Sequence, residues 1–245
     1  MEALKFNIKG STAFFKKPDV NAYAYFSYGN IPKIALLGIL GSILGLGGYN
    51  QQKEDEIYPE FYEKLKDLKV SIIPNTKKAY FAKKIQVFNN SVGYASKEQG
   101  GNLIVREQWL ENVNWTIYIL NDGNIDKNLY NKLNDYLLNN KTHFIPYLGK
   151  NDHPANIMNV AYIKLEEVKS YDKIDSLFPY KDVKLGKGTS DGKLEFLYKE
   201  YLPVSLNKEL NFYELEELSF TNYRIKEIDH KDRVYSDKEK NLYFI

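Results

Sequence analysis

Leu4, Phe6 and Ile8 alternate with Lys5, Asn7 and Lys9, the period-two pattern of a half-buried strand. Gly10-Ser11-Thr12-Ala13 interrupts it, and Phe14-Phe15-Lys16-Lys17-Pro18 follows. Residues 19–31 carry Tyr23, Tyr25, Phe26 and Tyr28 with no regular period. The chain is organised around the next stretch, which holds no charge from Ile34 to Tyr49. Leu36, Leu37, Leu40, Ile43, Leu44 and Leu46 fall near a helical period there. Ala35, Gly38, Ser42 and Gly45 form a second row of small residues on one face. Glycine inside a helix costs roughly 1 kcal/mol against alanine, so the row predicts close approach by a strand or a ligand. Pro32 stands at the predicted start and Gly47-Gly48 at the predicted C-cap. The apolar run is shorter than the roughly 20 residues a bilayer span needs; it predicts a buried helix packed on a sheet.

Further on, Tyr58 to Leu68 predicts a short helix with Phe61, Leu65 and Leu68 on one side, and Val70 to Ile73 a strand closed by Pro74-Asn75. In residues 76–108, Lys77, Lys78, Lys83 and Lys84 interleave with Tyr80, Phe81 and Phe88. A polar, glycine-punctuated loop from Asn89 to Gly101 follows, then a strand at Leu103–Val105 that Arg106-Glu107-Gln108 is expected to end. This predicts a long hairpin with a mobile tip. Val113, Trp115, Ile117 and Ile119 mark a strand, Asp126 to Asn139 a helix, Phe144 to Pro154 a loop and Met158 to Val168 a strand. That order is the ferredoxin-like, split βαβ arrangement. From Ser170 the texture changes. Phe196–Val204, Phe212–Tyr223 and Arg233–Ile245 read as short strands, and Gly186–Gly192 as a flexible loop without phosphate-loop spacing. The expected architecture is α+β: a ferredoxin-like domain over 1–168, with the hairpin at about 76–108, and a small β-rich C-terminal region over 169–245, wrapped over the first.

The 245 residues are 43% hydrophobic, enough for a full core, and include no cysteine, which excludes disulfide and thiol chemistry and fits a reducing cytoplasm. No targeting or lipidation signal is read, and no membrane association is expected. The net charge of +2 hides an asymmetry: residues 1–110 hold 15 basic and 10 acidic residues (+5), residues 111–245 hold 19 and 22 (−3). A polyanion would meet the N-terminal half first. Lysines mixed with aromatics in 76–108 suit phosphate contact and base stacking; an exposed edge hairpin protected by lysines is the alternative. Only three arginines occur, Arg106, Arg224 and Arg233, so each is informative. His143, His153 and His230 lack metal-site spacing, and no metal or cofactor is expected.

Three ordered segments resemble the fifth family of CRISPR-associated (Cas) proteins: Gly10 to Pro18 after the first strand, Ser27 to Lys33 with Leu37 to Gly45, and Pro146 to Asp152, the last similar to the form in type I-B systems. The likeness spans residues 1–168. It implies a RAMP-type, RNA-recognition-like core and a cytoplasmic subunit of the Cascade surveillance complex in antiviral defence. Such a subunit caps the 5′ handle of the CRISPR RNA and adjoins a backbone RAMP subunit and the large subunit; contact with target DNA near the PAM is left open. The hairpin would be the thumb. A standard RNP1 sequence is absent, which argues against base stacking on the sheet face.

The resemblance implies RNA-contact roles for Gly10 and Ser11 at a handle phosphate, for Lys16 and Lys17 beside them, and for Tyr28 and Lys33 flanking the first helix. It extends them to Lys77, Lys83, Lys84 and Asn90 on the thumb and to Arg106 at its base. Lys16 stands where the family's motif usually has arginine. Gly38, Gly41 and Gly45 are expected to serve close helix–sheet packing. A metal-independent endoribonuclease that processes precursor RNA is one alternative. Type I-C relatives place a lysine–histidine pair after the thumb, where this chain reads Val105-Arg106-Glu107-Gln108. Tyr49 is the one catalytic candidate, and a lone tyrosine near pKa 10 is a poor base. A protein-only assembly scaffold, using some of the 21 tyrosines at wet interfaces, is the other alternative.

Overall fold

The computed structural model describes residues 1–19, 23–168 and 171–245. The expected change of texture at Ser170 falls on residues outside those described. The first half builds one antiparallel sheet from β1 (Glu2–Ala13), β2 (Val70–Pro74), β3 (Ala82–Asn89), β4 (Ile104–Leu120) and β5 (Asn156–Lys164). Its order is β2-β4-β1-β5, with β3 paired to the outer part of β4. Helix α1 (Lys33–Leu44) and the short α2 (Glu60–Leu65) connect β1 to β2, and α3 (Lys127–Leu138) connects β4 to β5.

Alternation decides which face of the sheet is buried. Leu4, Phe6 and Ile8 of β1 join Val113, Trp115, Ile117 and Ile119 of β4 in one core with α1 and α3. The opposite face is polar in its middle. There Asn7 donates to Thr116 Oγ1 at 2.9 Å, Asn75 to Asn114 Oδ1 at 3.0 Å, and Asn159 to Asn7 Oδ1 at 3.1 Å.

Two strands run further than their sequence suggests. β1 does not break at Gly10; its pairing with β4 continues through Thr12↔Glu111 and Ala13↔Leu110. β4 does not end at Arg106–Gln108, because Arg106 pairs with Val87 and Gln108 with Ile85 of β3. The same strand therefore serves the sheet and the β3/β4 hairpin, and Asn112, with φ of 50°, lies between the two parts.

Helix α1 also departs from expectation at its end. Gly45, not Gly47-Gly48, adopts the left-handed C-cap, with φ of 81°. His143 N and Phe144 N then donate to Ile43 and Ser42 carbonyls at 2.9 and 3.1 Å, satisfying helix-end acceptors. The close approach expected of a strand comes at Gly41 from α2: a Cβ there would sit 2.6 Å from Phe61 Cβ.

The C-terminal half adds β6 (Glu166–Glu167), β7 (Phe178–Pro179), β8 (Val183–Thr189), β9 (Leu197–Leu206), β10 (Tyr213–Thr221), β11 (Tyr223–Ile228), β12 (Val234–Ser236) and β13 (Asn241–Tyr243). These form three small sheets, β7-β10-β9, β11-β8 and β13-β12-β6. Gly186 to Thr189 belongs to β8, paired with β11, and is not the loop its composition suggests. Leu177, Phe178, Leu202, Leu206 and Leu218 share the main core with α1. Tyr235, Leu242 and Phe244 close a second core on the other sheet face with Tyr118 and Leu120. Ile245 exchanges backbone hydrogen bonds with Val70 along the edge of β2.

Candidate nucleic-acid interface

The base of the β3/β4 hairpin is not a bare edge. Tyr25 N donates to Arg106 O at 2.9 Å and Gln108 N donates to Tyr25 O at 2.8 Å, so the residues around Tyr25 run beside β4 like a short extra strand. Lys17 N to Phe26 O and Tyr28 N to Phe15 O, both 2.8 Å, tie the same segment to the end of β1. Tyr25 and Tyr23, two residues apart in the chain, each meet a cation. Lys16 Nζ is 3.9 Å from the Tyr25 ring centroid, and the Arg106 guanidinium is 5.1 Å from that of Tyr23. Lys16, Tyr25, Tyr23 and Arg106 make a row of cations and rings, and Tyr23 is 70% exposed. The tyrosine alternation was visible in the sequence, but two rings are too few to define a strand.

In the hairpin part of β4 the odd positions, Glu107, Trp109 and Glu111, face the other way. Glu107 is buried and receives Trp109 Nε1 at 2.8 Å and Lys150 Nζ at 3.1 Å. Lys84 pairs with Glu111 at 3.2 Å. Glu107 and Glu111, the carboxylates nearest Arg106 along β4, thus pair with lysines on the opposite face. His153 is also fully buried. Its Nδ1 shares a 2.6 Å hydrogen bond with Thr12 Oγ1, and burial lowers its pKa, which favours the neutral ring.

A cleft of about 560 Å³ opens next to Lys16. Ala35, Gly38 and Ser42 of α1 line it, as do Tyr49, Phe144, Tyr147 and Tyr213. Burial pushes the Tyr28 and Tyr49 hydroxyls up to about 12, so both stay protonated at neutral pH. For Tyr49, the one catalytic candidate, that is the wrong direction for a general base.

The expected RNA-contact residues separate into groups. Lys16 and Arg106 share the cation–aromatic row, Lys77, Lys83 and Asn90 are exposed on or beside the hairpin, and Ser11 is exposed on β1. Lys17 is held by Glu200 at 3.1 Å and lies 5.2 Å from the Tyr28 ring centroid. Lys84 is half-buried and partly neutralised by Glu111. Three residues do not offer the surface expected. Gly10 is buried inside β1, where a Cβ would meet Leu148 Cδ1 at 2.5 Å, so its role is to admit Leu148 and not a phosphate. Tyr28 is buried, with only its cleft side open. Lys33 lies among Arg233, Asp67 and Glu216, and burial lowers its ammonium to about 8.

No protein-family model matches the sequence, and no curated protein matches it. Solved structures do. One, described as a CRISPR RNA-guided surveillance complex, superposes with a TM-score of 0.54 and 10% identity over 91% of each chain. A CRISPR protein from Archaeoglobus fulgidus superposes with a TM-score of 0.52 and 11% identity, over 99% of this chain and 98% of that chain. At such identities the likeness is one of fold: an α+β, mainly antiparallel architecture shared along nearly the whole length with CRISPR-associated proteins.

Proposed function

We propose that this chain is a non-catalytic RNA-binding subunit of a type I CRISPR surveillance complex, gripping the 5′ handle of the guide RNA. In this reading residues 1–168 are a ferredoxin-like RAMP domain of the fifth Cas family, of type I-B form. The β3/β4 hairpin is its thumb, and residues 169–245 are its β-rich C-terminal region. The observation that carries it is the row Lys16–Tyr25–Tyr23–Arg106 at the base of the hairpin, within a fold similar to a chain of an RNA-guided surveillance complex. Cations beside rings, one of them exposed, match what a single strand offers, phosphates and base faces. Neighbouring subunits would then cover the exposed apolar residues of the hairpin, Ile85, Val87 and Ile104.

The purified chain, mixed with repeat-derived RNA with and without the 5′ handle, should retain the handle-bearing RNA and leave it intact. Equal retention of both RNAs would contradict handle recognition. Cleavage within the repeat that persists in EDTA would restore the endoribonuclease alternative. Retention of neither, with a partner protein still bound at high salt, would favour the protein-only scaffold.

A further inference from the structure

We propose that the cleft beside Lys16 is a slot for one unstacked nucleobase of the bound RNA, an inference that rests on the RNA-binding role proposed above. Its volume, about 560 Å³, lies within the roughly 300–1,000 Å³ of small-molecule sites. Its chemistry is that of a base with one phosphate. Among the described residues, Lys16 is the only charged side chain lining it. The walls are rings that remain partly open: Tyr49 is 47% exposed, Phe144 56%, Tyr147 45% and Tyr213 41%. Four half-open rings around a cavity with a single cation suit a flat π-system that carries one phosphate; a charged peptide would find only that one counter-charge there. The Tyr49 and Tyr28 hydroxyls stay protonated and can donate to a base edge.

The glycines of α1 show that the space is kept open. Gly41 and Gly45 are filled by neighbours, since a Cβ would meet Phe61 at 2.6 Å and His143 at 2.7 Å. At Gly38 a Cβ would meet only Phe61 Cε2, at 3.9 Å, an ordinary contact. Packing therefore does not require glycine there, while the cleft gains the volume a side chain would take. Lys16 belongs to both the cleft and the cation–aromatic row. A strand whose phosphate sits on Lys16 would have one base turned into the cleft and its neighbours laid along Tyr25 and Tyr23.

Gly38→Leu tests this, because leucine fits the helix and plugs the cleft. Thermal unfolding of the full-length variant checks the fold. Affinity for a synthetic handle RNA should fall roughly 5- to 150-fold, equivalent to the about 1–3 kcal/mol of one stacked base at 1.4 kcal/mol per tenfold. A scan of single abasic substitutions along the handle, read with the wild-type chain, should find one position with a loss of that size. At that position Gly38→Leu should add nothing further. The scan stands even where the variant does not fold. Retention that neither Gly38→Leu nor any abasic position weakens overturns the slot and leaves the RNA reading intact. A wild-type chain that retains no handle RNA overturns the RNA reading itself.

Discussion

Gly149→Ala is expected to unfold the chain or to cost more than about 4 kcal/mol, in the range that marks a specific structural break. Gly149 has φ of 91°, a conformation that costs a non-glycine residue roughly 1–3 kcal/mol. Sterics add to this, because a Cβ there would overlap the Phe14 carbonyl oxygen, a backbone atom that cannot swing away. The same loop is pinned by Phe14 N donating to Leu148 O at 3.0 Å and Leu148 N donating to His153 O at 2.7 Å. Forcing Gly149 outward would pull Leu148 from under Gly10 and Lys150 from Glu107. Urea denaturation is the measurement, with Gly93→Ala as the control, because no atom lies within 4 Å of a Cβ at that position. Equal midpoints for the two variants would refute the packing described for the loop.

Glu107→Ala should cost about 2–3 kcal/mol and loosen the base of the hairpin. The carboxylate is buried and takes hydrogen bonds from the Trp109 indole and the Lys150 ammonium. A hydrogen bond to a charged group contributes about 1.5–3 kcal/mol, and an unsatisfied buried N–H costs a similar amount. The loss stays below that of a fully buried pair because Lys150 is partly exposed and keeps Asp152 at 3.3 Å. Glu107→Gln preserves an acceptor for Trp109 and should recover about half of the loss. Stability within 0.5 kcal/mol of wild type, an ordinary surface value, would mean that the buried carboxylate holds nothing. Because Arg106 is the adjacent residue on the opposite face of the same strand, loosening Glu107 should also weaken RNA retention.

Long regular patterns made the central sheet and helices legible. Val113 to Leu120 alternates over eight residues, and α3 has the Asp126 N-cap, whose carboxylate accepts Leu129 N at 2.9 Å. The lysine-rich hairpin and Arg106 were readable as candidates for the same reason, since composition and spacing are local. Contacts that depend on register or on distant chain were not. Glu107 meets Lys150 only because β4 continues through the hairpin while the loop before β5 folds back on Phe14. The second core joins Tyr118 to Tyr235 and Phe244 across more than a hundred residues, with strands of only three residues on the distal side. The open state of Gly38 was equally hidden. Gly38, Gly41 and Gly45 look alike in sequence, and only the positions of Phe61 and His143 separate a packed glycine from an open one.

The salt dependence of handle-RNA affinity, measured for the wild-type chain and for the Lys16→Ala/Arg106→Ala double variant, tests the central claim most directly. A basic side chain on a single strand contributes roughly 0.7 to the slope of log affinity against log salt. With one phosphate on each of these two residues, the double variant should bind more weakly and show a slope shallower by about 1.4. Identical slopes and affinities for the two proteins would place the RNA elsewhere and contradict the account.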